Sequence, residues 1–181
     1  MRIISGQFKG YAIPIVHDSD YRPSKGKVKE AIFNILQSSD LIKDSIVLDL
    51  YCGTAALAIE AISRGAKCAT VIDIEKKHVI AIETFITKYN IKNIETIVTD
   101  ASNLKKPDLE YDLVFIDPPY NKNLATKSLH SLKDKGWLAD RAIIIIELAR
   151  TEDLAPIPKF TELDVRLYST TKILIWRYEK I

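Results

Sequence analysis

The chain has 181 residues, of which 47% are hydrophobic and 28% are charged, and its formal net charge is +2. These values are typical of one globular core and exclude a disordered or fibrous chain. Its apolar runs are far shorter than the roughly 20 residues that cross a bilayer, and its first residues lack the pattern of a secretory signal. Its two cysteines are too few for a disulfide framework. The sequence therefore predicts a single domain over residues 1–181 in the cytoplasm, monomeric, with no membrane segment and no metal site.

The N-terminal part is predicted to be a small β-hairpin extension over residues 1–20, because two short apolar runs flank a glycine-containing turn. Residues 1–30 hold six basic and three acidic side chains. Such a local excess of positive charge is expected of a face that contacts phosphates. Apolar residues at helical spacing then predict a helix from about residue 24 to residue 38.

From residue 46 onward, strand and helix patterns alternate. Strands are predicted at 46–51, 69–74, 94–98, 111–116 and 142–147, helices at 57–63, 76–89 and 124–133, and a terminal hairpin at 161–168 and 171–178. This alternation predicts an α/β fold with a mostly parallel sheet that is covered on both faces.

Four consecutive predicted strands end in a carboxylate: Asp49, Asp73, Asp100 and Asp117. In an open parallel sheet, ligands bind beyond the carboxyl ends of the strands. Asp73 follows Gly53 by 20 residues, the spacing at which an acidic side chain accepts hydrogen bonds from ribose hydroxyls. The loop at Gly53 has one glycine where dinucleotide sites use three, which favours an adenosine cofactor without a pyrophosphate.

The motif Asp117-Pro118-Pro119-Tyr120 directly follows the fourth predicted strand. The two prolines restrain the backbone, so that a carboxylate and a carbonyl become rigid acceptors beside an aromatic ring. We expect Asp117 and the Pro118 carbonyl to accept the two N–H groups of an exocyclic base amine while Tyr120 stacks on the base. The motif therefore predicts amine methylation, but it does not distinguish guanine N2 from adenine N6 or cytosine N4.

Over nearly its whole length, the chain resembles the RsmD-type family of small-subunit ribosomal RNA guanine-N2 methyltransferases. The resemblance lies in MRIISG (1–6) with KG (9–10), RPS (22–24) before VKEAIFN (28–34), LDLYCG (48–53), EAISRGA (60–66) and the Asp117 motif. It implies a class I, Rossmann-like methyltransferase fold with a mostly parallel seven-stranded sheet. It also implies transfer of a methyl group from S-adenosyl-L-methionine to a guanine N2 of 16S rRNA in assembled small subunits, where ribosomal proteins are further partners.

The resemblance also implies a role for each matching residue. The cofactor would be bound by Asp49, Tyr51 and Gly53 at its methionine side, by Asp73 at its ribose, and by Asp100 and Ala101 at its adenine. The catalytic residues would be Asp117, Pro118, Pro119 and Tyr120, and RNA would be contacted by Lys9, Arg22, Lys25, Lys27 and Lys29. The chain departs from the family at Ala55 and Ala58, where glycine is usual, and at Lys27 and Lys29, where arginine is usual.

Two other functions remain open from the sequence. A DNA adenine-N6 methyltransferase uses a similar acid-Pro-Pro-aromatic motif, although it usually carries a separate target-recognition segment. A non-catalytic, cofactor-binding ribosome assembly factor would account for the altered glycine loop. A protein-glutamine methyltransferase is disfavoured, because that class has asparagine where Asp117 stands.

Overall fold

The computed structural model describes residues 1–13, 24–120 and 123–181, except for the side chains of residues 24 and 25. The helices are α1 (Ser24–Ser38), α2 (Ala56–Ser63), α3 (Lys76–Lys88) and α4 (Leu124–Lys135). The strands are β1 (Ile46–Leu50), β2 (Cys68–Asp73), β3 (Ile94–Val98), β4 (Tyr111–Ile116), β5 (Leu138–Ala149), β6 (Phe160–Leu167) and β7 (Thr171–Tyr178). None of the helices in the described part of the chain is long and apolar enough to cross a membrane.

All seven strands form one sheet in the order β3-β2-β1-β4-β5-β7-β6. Neighbouring strands from β3 to β5 are parallel, and β7 is antiparallel to both β5 and β6. The predicted mostly parallel sheet is thereby confirmed. The order reverses between β1 and β4, and ligands of open parallel sheets bind at the carboxyl edge of such a switch point.

The sheet is covered on both faces, as predicted. One buried cluster joins α1, α2 and α3 to strand residues such as Val47, Phe115 and Ile145. The opposite cluster joins α4 to the alternate strand residues, such as Leu48, Val114 and Ile144. Because the central strands are buried on both sides, they carry continuous apolar runs instead of alternating patterns.

Strand β5 begins at Leu138, four residues before its predicted start. The sequence pattern does not reveal residues 138–141 as part of the strand, because the strand is irregular there. Arg141 has a φ of 64°, and the register between β4 and β5 shifts between Tyr111 and Leu113. An irregularity of this kind brings polar residues into a strand and removes the apolar signal that marks it.

The N-terminal segment folds back on itself and packs on α2. A single antiparallel bridge joins Arg2 to Ala12, where the sequence predicted two short strands. The Phe8 N–H donates to Ser63 Oγ at 2.9 Å, and a Cβ added to Gly6 would lie 1.7 Å from the Ser63 carbonyl oxygen. The segment therefore contacts the end of α2 with almost no clearance. The rest of the predicted hairpin, residues 14–20, lies outside the described residues.

Candidate active site

The loop between β1 and α2 contains three residues in the left-handed region: Tyr51, Gly53 and Ala55, with φ values of 58°, 52° and 53°. Glycine adopts this conformation at little cost, whereas a residue with a Cβ is strained by roughly 1–2 kcal/mol. The Gly53 N–H donates to Asp73 Oδ2 at 2.8 Å, so the shape of this loop is tied to the end of β2. Backbone strain of this kind is concentrated at binding sites.

Asp49, in the strand just before that loop, is only 2% exposed. Its Oδ2 accepts the Ala58 N–H at 3.1 Å, in the first turn of α2. A carboxylate at this position is favourable, because the first N–H groups of a helix have no partner within the helix. Asp49 therefore contacts α2, and its contact with a cofactor stays a prediction.

Asp73, at the end of β2, is surrounded by donors. Its Oδ2 accepts the Gly53 N–H and lies 3.1 Å from Nδ1 of His78, and its Oδ1 accepts the Glu75 N–H at 2.8 Å. A carboxylate offers about four acceptor positions. Beyond its two backbone donors, Asp73 therefore has acceptor capacity that suits the hydroxyls of a ribose.

A chain of hydrogen bonds connects the β1 loop to the residues after β3. Ser128 Oγ donates to the Ala101 carbonyl at 3.1 Å, so the Tyr51 hydroxyl, 2.7 Å from Ser128 Oγ, is the donor to serine. Burial raises the pKa of Tyr51 against the opposing effect of the Ser128 hydrogen bond. Beside Ala101, the Ser102 N–H and hydroxyl both donate to Asp100 Oδ1 at 2.8 Å and lower the pKa of Asp100.

Residues 117–120 follow β4, at the centre of the carboxyl edge between β1 and β5. Pro118 is buried, whereas Asp117 and Tyr120 are partly exposed. The Tyr120 hydroxyl donates to Glu147 Oε1 at 3.3 Å and lies 3.3 Å from Thr171 Oγ1. The tip of the Tyr120 ring is therefore held by the end of β5 and the start of β7.

Two of the five residues predicted to contact RNA lie on the described surface: the side chains of Lys9 and Lys27 are exposed. Arg22 lies outside the described residues, and so does the side chain of Lys25. The structure therefore leaves the prediction for these four residues untested, although Lys9 and Lys27 are accessible to a phosphate.

The fifth residue, Lys29, is only 3% exposed. Its Nζ donates to Glu60 Oε2 at 3.0 Å and to the Arg2 carbonyl at 3.1 Å. Burial lowers the pKa of Lys29 against the opposing effect of Glu60. Lys29 therefore joins α1 to the N-terminal segment and to α2, which corrects its prediction as an RNA contact.

Glu60 is the centre of this junction and was not singled out from the sequence. It is fully buried and accepts hydrogen bonds from the Ile4 and Ser5 N–H groups, at 2.8 and 2.9 Å, and from Lys29 and Arg64. Burial alone would raise the pKa of Glu60, but these donors together hold it below its usual value. A network of one carboxylate and two cations thus fixes the N-terminal segment on the helix that follows the β1 loop.

Glu147 was also missed, although the relevant signal was in the sequence. The fifth predicted strand ends at this residue, just as the four earlier strands end in aspartates. The structure places Glu147 against Tyr120 of the motif. A carboxylate at the end of every central strand is therefore the more complete description of this edge.

Comparison with known proteins connects this geometry to a family. The sequence model described as "Conserved hypothetical protein 95" matches residues 1–177. The "Ribosomal RNA small subunit methyltransferase D" of Buchnera aphidicola subsp. Baizongia pistaciae is 37% identical, over 83% of this chain and 77% of its own length. The protein of the same name from Escherichia coli strain K12 is 32% identical, over 87% of this chain and 79% of its own length.

The fold leads to the same group of proteins. The solved structure of the E. coli protein yhhF has a TM-score of 0.87 and 27% identity, and the match covers 100% of this chain and 99% of that one. The magnesium protoporphyrin IX methyltransferase of Synechocystis has a TM-score of 0.68 at 16% identity over 90% of each chain, which is a likeness of fold alone. The sheet is thus the predicted class I, Rossmann-like methyltransferase sheet, and the chain belongs to the conserved hypothetical protein 95 family of RsmD-type methyltransferases.

Proposed function

We propose that this protein transfers a methyl group from S-adenosylmethionine to the exocyclic N2 of a guanine in small-subunit ribosomal RNA. The observation that carries the proposal is the position of the Asp117 motif, which follows β4 directly beside β1 and its Asp73-bound loop. The names of the relatives support ribosomal RNA of the small subunit as the substrate. On this proposal, residues 1–181 act as one monomeric methyltransferase domain in the cytoplasm, on an assembled subunit whose ribosomal proteins share in recognition.

The residues along this edge fit an adenosine cofactor. The Asp73 carboxylate would accept the ribose hydroxyls, Asp100 and Ala101 would flank the adenine, and the loop of Tyr51 and Gly53 would border the methionine side. The hydrogen bonds from Tyr51 through Ser128 to Ala101 connect the methionine side of this site to its adenine side. When bound, S-adenosylmethionine supplies an electrophilic methyl group on a sulfonium sulfur.

The chain's own residues would activate the amine. An exocyclic base nitrogen is a poor nucleophile, because its lone pair is delocalised into the ring. Asp117 and the Pro118 carbonyl would accept its two N–H groups and favour the tetrahedral, positively charged nitrogen of the transition state. The bound cofactor would supply the methyl group and retain the electron pair of its carbon–sulfur bond on sulfur, and the surplus proton of the amine would leave to solvent.

The remaining roles concern the RNA. Tyr120 would stack on the base once it is turned out of the RNA structure, a geometry that enzymes acting on bases commonly require. The exposed cations Lys9 and Lys27, together with Arg22 and Lys25, would contact phosphates. Lysines carry a positive charge but lack the bidentate fork of arginine, so the lysine contacts would attract and orient the RNA more than they would select its sequence.

Replacement of the motif aspartate tests the proposal. We expect Asp117→Ala to reduce methyl transfer to small subunits about 100-fold or more, because an acceptor that acts in the transition state is lost. Cofactor affinity measured by calorimetry should stay within about threefold, since Asp117 would contact the amine and not the cofactor. Asp134→Ala, at a side chain that is 61% exposed on α4, is the matched control and should remain fully active. Full activity of Asp117→Ala would contradict the proposal.

A further inference from the structure

A second carboxylate stands beside the proposed amine acceptor. Ile116 of β4 pairs with Ile146 of β5 in parallel register, and Asp117 and Glu147 are the next residue on each chain segment. Neighbouring strands lie about 4.8 Å apart, so the two acidic residues are adjacent at the carboxyl edge. No role for Glu147 follows from the amine chemistry of the motif alone.

The position of Glu147 is fixed by its surroundings. It is only 7% exposed, and its Oε1 accepts the hydrogen bond from the Tyr120 hydroxyl. In β5 it pairs with Ile173 of β7, and by strand alternation its side chain lies on the same face of the sheet as Ile145. Its carboxylate therefore borders the ring that would stack on the base.

Two adjacent acceptors match only one of the common amine-bearing bases. In guanine, the N2 amine is next to a protonated ring nitrogen, N1–H, so two neighbouring groups are donors. In adenine and cytosine, the amine is next to an unprotonated ring nitrogen, whose lone pair a carboxylate would repel. A site built to hydrogen-bond a substrate group rejects an analogue that lacks it, because the buried polar group is then unpaired.

We propose that Glu147 is a specificity-determining residue, which accepts the N1–H of the target guanine while Asp117 accepts the neighbouring amine. The inference rests on the proposed function and deepens it, because it assigns the choice of guanine to a residue outside the four-residue motif. Glu147 reads the ring nitrogen, and the motif positions the nitrogen that is methylated.

The test compares two bases that share the amine but differ at N1 and at C6, where 2-aminopurine lacks the oxygen of guanine; the change of preference in Glu147→Gln isolates the part that is due to N1. Small subunits are reconstituted with either guanine or 2-aminopurine at the methylated nucleotide, since 2-aminopurine keeps the 2-amine and has an unprotonated N1. The wild-type protein should prefer guanine by at least about tenfold in kcat/KM. Glu147→Gln should lower kcat/KM for guanine by about 10- to 100-fold, and should narrow or invert the preference, because its amide can donate to N1 of 2-aminopurine.

Two further variants separate base recognition from support of the tyrosine. Tyr120→Phe removes the hydroxyl that donates to Glu147 but keeps the carboxylate, so kcat/KM should fall for both bases while a preference for guanine remains, whereas Glu162→Gln on β6 should change nothing. Cofactor affinity of Glu147→Gln should equal that of the wild type, which verifies that the variant is folded.

The outcomes also separate this inference from the proposed function. An unchanged base preference in Glu147→Gln, or the same loss of preference in Tyr120→Phe, would overturn the role of Glu147 while the methyltransferase activity stands. A wild-type protein that labels adenine or cytosine in small subunits, and not guanine, would overturn both.

Discussion

The strained loop after β1 allows a quantitative test, because the same substitution can be made at two equally buried sites. Ala55 and Ala61 are both 0% exposed, but Ala55 has a φ of 53° and Ala61 lies within helix α2. Replacement of either residue by glycine removes one buried methyl group, which costs about 0.8 kcal/mol. Only the backbone conformation differs between the two sites.

At Ala55, glycine relieves about 1–2 kcal/mol of left-handed strain. Two effects oppose this relief of strain: glycine gives the unfolded chain more conformational freedom, worth about 0.4–1 kcal/mol, and the folded protein loses one buried methyl group. We therefore expect Ala55→Gly to be nearly neutral. Ala61→Gly has no strain to relieve and adds the helix penalty of about 1 kcal/mol to the loss of the methyl group. It should destabilise the protein by about 2 kcal/mol.

Urea unfolding followed by tryptophan fluorescence measures both variants, because Trp137 and Trp176 are buried. We expect the free energies of unfolding of the two variants to differ by about 1–2 kcal/mol, and the melting temperatures by several degrees. An Ala55→Gly variant as unstable as Ala61→Gly, or less stable, would refute the strain attributed to this loop.

Three further predictions concern the supports of the site. Gly6→Ala should destabilise the protein by about 3 kcal/mol or more in urea unfolding. Gly10 has a similar φ, but a Cβ added there would have nothing within 4 Å, so Gly10→Ala should destabilise the protein by only about 1 kcal/mol. Equal effects of the two substitutions would contradict the close packing of Gly6 on α2. Glu60→Gln should cost about 3 kcal/mol at pH 7, because it leaves two buried cations without their carboxylate, whereas exposed Glu110→Gln should cost about 0.5 kcal/mol or less. Folding lowers the pKa of Glu60, so the difference in free energy of unfolding between the wild type and Glu60→Gln is complete above the pKa of Glu60 in the unfolded chain. The difference should shrink as the pH falls through the pKa of Glu60 in the folded protein. A difference that does not change with pH would contradict this role of the Glu60 carboxylate. Tyr51→Phe should lower stability by about 1 kcal/mol and weaken cofactor binding in calorimetry, and unchanged affinity would show that the hydrogen-bonded connection does not shape the site.

The sequence was sufficient for the architecture of the central sheet, because its information is local. Each buried strand is a short apolar run, and a carboxylate marks the carboxyl end of each of the first four. Strands that alternate with helices are parallel almost by necessity, which brings these carboxylates to one edge. For the same reason, the sequence predicts that the Asp117 motif and the loop of Gly53 lie at the same edge of the sheet.

What the sequence could not supply depends on contacts between distant segments. Lys29 precedes the buried Ile32, Phe33 and Leu36 by three, four and seven residues, so helical spacing places it on the buried face of α1. Its partner Glu60 is 31 residues away, and no local pattern reveals that contact. The left-handed conformation of Ala55 leaves no trace in composition. The proximity of Glu147 to Tyr120 follows from the register of β4 and β5, which no local pattern encodes.

The proposed activity of this chain is methylation of a guanine N2 of small-subunit ribosomal RNA. The most direct test incubates the purified protein and isotopically labelled S-adenosylmethionine with unmethylated small subunits, with naked ribosomal RNA and with DNA, and identifies labelled nucleosides by mass spectrometry. We expect labelled N2-methylguanosine, strongest with assembled subunits. Labelled N6-methyladenine from DNA would contradict it in favour of a DNA methyltransferase, and cofactor binding without a labelled product would favour a non-catalytic assembly factor.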